Sequence, residues 1–166
     1  MPVTNVEKNP DDLTMRITCE FDASVDRVWQ IWADPRQLEQ WWGPPGSPAT
    51  VVDHDLSEGA RVAYYMTDPE SGEYHGWWQI LAVDPPHSLE FKDGFAYGGG
   101  EEDDEMPTTI TQVQLIAGPS GKTTMTVTSI FPSLESMQEL IEMGAEEGLV
   151  GALSQIDTIV QGTPAA

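Results

Sequence analysis

From Leu13 the chain alternates without interruption. Leu13, Met15, Ile17, Cys19 and Phe21 fall on one side of an extended segment, and Thr14, Arg16, Thr18 and Glu20 on the other. A period of two is the pattern of a strand buried on one face. At Ser24 the period changes. Val25, Val28, Trp29 and Trp32 recur at i, i+3, i+4 and i+7, which predicts a helix with one apolar stripe. Ser24 is placed to cap that helix, and Asp26 sits in its first turn near the positive end of the dipole. Asp34-Pro35 interrupts it, and Pro35 can open a second short helix running through Leu38 to Trp41. Gly43-Pro-Pro-Gly-Ser-Pro48 is incompatible with regular structure.

Further strands are predicted over 49–56 and 60–67, joined by a hairpin turn at Ser57-Glu58-Gly59, and then over 74–83, 88–97, 108–117 and 123–131. Gly118-Pro-Ser-Gly121 is a turn between the last two. In the last strand Thr124, Thr126 and Thr128 alternate with Met125, Val127 and Ser129, giving one polar and one largely apolar face. The chain then turns helical. Ser133 can cap a segment carrying Leu134, Met137, Leu140, Ile141 and Met143. Gly144 and Gly148 interrupt or bend it, and Leu149, Leu153, Ile156 and Val160 mark a second stripe. Residues 1–12, polar and carrying two prolines, read as a flexible arm, and 162–166 as a frayed tail. The expected architecture is one α+β domain over 13–161, an antiparallel sheet with its helices packed on one face.

Composition bounds the class. The 166 residues suit one domain, and 39% apolar residues are ample for its core. No run approaches the ~20 apolar residues needed to span a bilayer. The N-terminus has neither a basic start nor a hydrophobic run, so a cytoplasmic location is expected. Charge is the outlier: 28 acids face 7 bases, for a net charge of −21. That field repels phosphate backbones and anionic membrane surfaces, which excludes nucleic acid and membrane as expected partners. The acids are spread along the chain, which fits a solvating surface; a salty environment and a basic partner both remain compatible with it.

Recognisable chemistry is sparse. Cys19 is the only cysteine, lies on the apolar face of its strand and is expected to pack in the core. Gly98-Gly-Gly-Glu-Glu-Asp-Asp-Glu105 fits no calcium-loop spacing, and such runs are usually solvated rather than metal-binding. His87 follows two prolines at a turn, where solvation is expected, whereas His54 and His75 lie in predicted strands. No paired cysteines, no His-Glu-x-x-His and no phosphate loop occur. Neither a metal nor a cofactor is therefore expected, and no residue is assigned a catalytic role.

Three stretches carry a resemblance. The first is Phe21, Ala23, Val25, Val28, Trp29, Trp32, Asp34-Pro35, Leu38 and Trp41-Trp42-Gly43-Pro44. The second is Gly72, Tyr74, Gly76, Ile80, Val83-Asp-Pro-Pro86 and Leu89-Glu-Phe91. The third is Gly148-Leu149 ahead of Leu153 and Ile156. Together they resemble the START-like helix-grip (SRPBCC) superfamily, and within it the AHSA family, named for activators of a heat-shock chaperone ATPase, in its single-domain bacterial form. The resemblance covers about residues 13–160. It implies a curved antiparallel sheet gripping a long C-terminal helix, with two short helices after the first strand closing one end of a cavity.

Given such a cavity, alternation and helical phase nominate its walls: Trp42, Tyr64, Met66, Trp78, Phe91, Phe95, Met125, Phe131, Met137, Leu140 and Leu149. The polar candidates are His54, Arg61 and His75, together with Asp53 and Tyr64. The resemblance then implies binding of an apolar or aromatic small molecule. Two alternatives stand beside it: a chaperone partner in a stress response, and a cyclase- or hydrolase-like cavity enzyme. A homodimer is compatible with an exposed sheet edge but opposed by charge repulsion.

Overall fold

The period-two segments pair into a single antiparallel sheet. The structure is a computed structural model that describes residues 3–43, 46, 49–68, 72–96 and 108–162. Along the chain run β1 (Val3–Asn9), β2 (Thr14–Phe21), α1 (Val25–Ala33), α2 (Pro35–Trp41), β3 (Ala49–His54), β4 (Arg61–Asp68), β5 (Gly72–Asp84), β6 (Ser88–Ala96), β7 (Thr109–Ala117), β8 (Thr123–Ile130), α3 (Leu134–Glu142), α4 (Ala145–Leu153) and α5 (Ile156–Gly162). The strand order is β1-β2-β8-β7-β6-β5-β4-β3. Every neighbouring pair is antiparallel. Sequential strands are therefore adjacent except where β2 meets β8, the pairing that brings the two ends of the chain together. Extra residues in β3 (between Val51 and Asp53) and in β5 (between Ile80 and Ala82) bulge the ladder, which bends the strands that carry them.

One difference from the expected arm is β1. Val3–Asn9 lies along β2 from Val3↔Cys19 to Asn9↔Thr14. Only Val3 and Val6 offer apolar side chains, and both are half-buried. Backbone pairing rather than a hydrophobic face holds this edge, and alternation has little to register there. Lys8 also pairs with Glu146 of α4, tying the edge strand to the helical layer.

The helix boundaries follow their caps. Ser24 Oγ accepts from Arg27 N at 3.2 Å. Asp34 closes α1 and caps α2, its carboxylate accepting from Arg36 N at 2.9 Å. Ser133 Oγ accepts from Ser136 N at 3.0 Å. The terminal helical stretch is broken twice. Gly144, at φ 96°, separates α3 from α4 in a left-handed conformation that glycine adopts without strain. The second break falls at Ser154, whereas Gly148 lies inside α4.

The core lies between the inner sheet face and the helices. Met15, Ile17, Cys19 and Phe21 are all buried, as the alternation of β2 requires. The stripe Val28, Trp29 and Trp32 is buried from α1. Burial pushes the Cys19 thiol up to about 12, so it stays a neutral packing group. Arg27 bridges the helices, donating to Gln37 Oε1 at 2.7 Å and to the Ile159 carbonyl at 3.0 Å. The glycine-rich acidic run at 98–105, and most of the Gly43–Pro48 segment, lie outside the described residues.

Candidate functional site

Three cross-strand rows of the inner face define the site. One runs Met15, Ser129, Thr111, Phe91 and Ile80 across β2, β8, β7, β6 and β5. The next runs Thr109, Asp93, Trp78 and Val62. The third runs Phe95, Gly76, Tyr64 and Val51. The first two place Ser129, Thr111, Thr109 and Asp93 in one patch of an otherwise apolar surface. Between this patch and helices α3 and α4 lies a cavity of about 260 Å³. The helices contribute Leu140, Ala145, Gly148, Leu149 and Ala152, and Trp42-Gly43 lies at its edge.

Trp42 is held there by its surroundings. Its N–H closes α2 on the Leu38 carbonyl at 2.9 Å. Gln155, at the break between α4 and α5, donates to the carbonyls of Trp41 at 3.3 Å and Gly43 at 2.8 Å. The Trp42 ring meets Trp78 edge-on at 4.9 Å and Tyr64 at 5.9 Å. Each such contact adds about 0.5–1.5 kcal/mol beyond burial, enough to fix the ring positions.

Asp93 is the acid of the cavity. It is half-buried and lines the cavity. Burial pushes its carboxyl up to about 7, and the nearby Tyr64 hydroxyl opposes that rise. Burial and the Asp93 charge push the Tyr64 phenol well above its usual range. The indole N–H groups of Trp42 and Trp78 are near enough to the Tyr64 oxygen to ease its ionisation, yet neither reaches hydrogen-bond geometry. The arrangement is directional. Two N–H donors approach the Tyr64 oxygen, and the Tyr64 hydroxyl faces a carboxylate. Among the described residues that line the cavity there is no Lys, Arg or His. Near neutral pH the site can accept a hydrogen bond or a proton.

The matched family agrees with this architecture. Residues 22–161 fit the family model described as activator of Hsp90 ATPase homolog 1-like protein. The chain belongs to the AHSA1 family. Among solved structures, this AHSA1 chain is similar to protein Ms6760 from Mycobacterium smegmatis, with 46% identity and a TM-score of 0.89 over 98% of this chain and 99% of that one. It is similar to a protein from Arthrobacter aurescens, with 47% identity and a TM-score of 0.92 over 98% and 94%. A protein from Staphylococcus epidermidis is 29% identical, with a TM-score of 0.82 over 98% of both chains. No curated protein matches. The helix-grip fold of the AHSA1 family is thus present along the chain. Among the described residues no helix is long and apolar enough to cross a membrane.

The AHSA1 cavity gathers some of the residues nominated from sequence and not others. Trp42, Tyr64, Met66, Phe95, Phe131, Leu140 and Leu149 line it. Trp78 and Phe91 lie behind that wall, stacked at 4.0 Å and 16° and fully buried. Met125 faces α1, where its sulfur accepts from Trp32 Nε1 at 3.4 Å. Met137 is buried in the core away from the opening. Of the polar candidates only Tyr64 reaches the cavity. His54 Nε2 donates to the Trp32 carbonyl at 2.9 Å, and Asp53 is exposed. Arg61 and His75 lie on the outer sheet face, Arg61 over the Trp77 ring at 4.9 Å and His75 beside Glu73 at 3.2 Å. Thr109, Thr111 and Ser129, which line the cavity, are not among the sequence candidates, and neither is its acid, Asp93. Its signal was present: Phe91-Lys-Asp93-Gly-Phe95 places an acid between two aromatics on the inward phase of β6.

Proposed function

We propose that the protein binds an apolar or aromatic small molecule in the cavity between its sheet and the helices α3 and α4. The observation that carries this reading is the cavity itself: about 260 Å³ in a core where side chains otherwise close-pack, with apolar walls and one polar patch at Asp93, Tyr64, Thr109, Thr111 and Ser129. Apolar walls supply affinity and a few placed polar groups supply orientation, which is the usual composition of a small-molecule site. The interior position of the site and its rigid surround of Trp42 and Trp78 support binding of a whole molecule rather than of a protein surface. Chaperone activation is supported by the family description alone.

The test is intrinsic tryptophan fluorescence during titration with neutral two-ring aromatics, since Trp42 lines the cavity. Saturable binding of one molecule per chain is expected, and it should be lost when the cavity is filled by Gly148→Leu. Titrations without saturation, or saturation undisturbed by that substitution, would refute the reading.

A further inference from the structure

We propose that the cavity selects a lipophilic amine, whose protonated nitrogen pairs with Asp93 while its aromatic or alicyclic body fills the apolar space. The proposal rests on the reading of the cavity as a ligand site and adds the ligand's charge.

Three observations converge on a cation. First, Asp93 is a carboxyl inside the cavity wall without a basic partner among the described lining residues. A buried carboxylate lacking a counter-ion is unfavourable, and a ligand that brings the positive charge relieves it. Folding has already stripped much of the water from Asp93, whose carboxyl stands at about 7 for that reason. Only the ligand's ammonium then remains to be desolvated on binding. Second, the polar groups around it are oxygens: the Tyr64 hydroxyl, and Thr109, which faces Asp93 across the β6–β7 ladder. An ammonium has three donors and no acceptor, and these oxygens can accept. The N–H donors of Trp42 and Trp78 are turned toward the Tyr64 oxygen instead, so the network ends on an acceptor.

Third, the wider field has the same sign. Tyr64, Trp42 and Phe95 present aromatic rings to the cavity, and ring faces attract cations. The net charge of −21 raises the local concentration of cations and repels anions, and a low-dielectric cleft focuses that potential. A ligand carboxylate would meet Asp93 without a compensating base. A neutral ligand would leave the Asp93 charge unpaired.

The experiment compares three probes that share one naphthalene body: naphthylmethylamine, naphthylmethanol and naphthoic acid. Each is titrated calorimetrically into wild-type protein and into Asp93→Asn at about pH 8, where the carboxyl is ionised and the amine still largely protonated. The wild type is expected to bind the amine roughly tenfold or more tightly than the alcohol, and the acid most weakly. Asp93→Asn should keep alcohol binding and lose the preference for the amine. Equal binding of amine and alcohol by the wild type, or a preference for the acid, overturns the amine assignment and leaves the cavity reading standing. No binding of any probe overturns both. The wild-type comparison decides the question even where the variant folds poorly.

Discussion

Tyr64 lies across the backbone of Gly76. A Cβ placed on Gly76 would stand 2.4 Å from the Tyr64 hydroxyl oxygen and 2.5 Å from the ring carbon bearing it. The two residues are direct partners in the β4–β5 ladder. An aromatic ring covering a cross-strand glycine both fills the gap and fixes the ring. Here it fixes the phenol against Asp93, so the missing side chain at position 76 positions the polar end of the cavity.

Gly76→Ala should therefore force the Tyr64 ring aside. Overpacking of this kind costs about 1–3 kcal/mol, to be read as a lower urea midpoint at unchanged slope. The displaced phenol should also weaken probe binding. A variant as stable as the wild type would show that the ring is free to move.

Gly148 offers the opposite case. It lies within α4, lines the cavity and has open space where a Cβ would be. Gly148→Ala is expected to stabilise the protein by roughly 0.5–1 kcal/mol, because glycine in a helix interior loses more backbone freedom on folding. Gly148→Leu should place its side chain in the cavity and abolish binding while the fold persists. Thermal melts and probe titrations on the two variants separate these effects.

Asp93 predicts a pH signature. Its carboxyl stands at about 7 in the folded protein against an ordinary value of 3.8, so the native state holds the proton more tightly than the unfolded chain. Below the ordinary value both states are protonated and no penalty exists. As pH rises toward 7 the unfolded chain ionises first, and stability falls; above 7 the penalty is complete. Asp93→Asn should exceed the wild type in stability at about pH 8 by up to roughly 4 kcal/mol, with the gap closing near pH 4. Comparing the two proteins at each pH cancels the titration of the other acids. A gap independent of pH would refute the perturbed carboxyl.

Cys19 should be inert. Fully buried, with its thiol pushed up to about 12, it presents almost no thiolate at neutral pH. An aromatic disulfide reagent should fail to label the native protein on the timescale that suffices in denaturant. Rapid native labelling would mean that β2 opens readily.

Legibility in the sequence followed the strength of local signals. The strict alternation of β2, the caps at Ser24 and Ser133, and the break at Gly144 are all readable from neighbours within a few residues, and each stands where it was expected. β1 escaped because its stability comes from pairing with β2, and Val3 and Val6 alone make no pattern. The histidines drew attention by residue type, but His75 sits one position out of phase with Gly76 and so faces away from the cavity. Asp93 shared the inward phase of Phe91 and Phe95, yet an acid between aromatics is also what an exposed strand contains.

By itself the sequence determined which side chains share a face, because period two and period 3.6 are properties of a single segment. It thereby settled the α+β class and most of the core. The tertiary structure alone decided that Asp93 stands opposite Thr109 and within reach of Tyr64, two strands away. That meeting depends on the registers of three separate ladders, and one residue of slip in any of them would turn a whole face outward. Strand pairing over long sequence separations is a global choice, so the polar end of the cavity exists only once the sheet has closed around it.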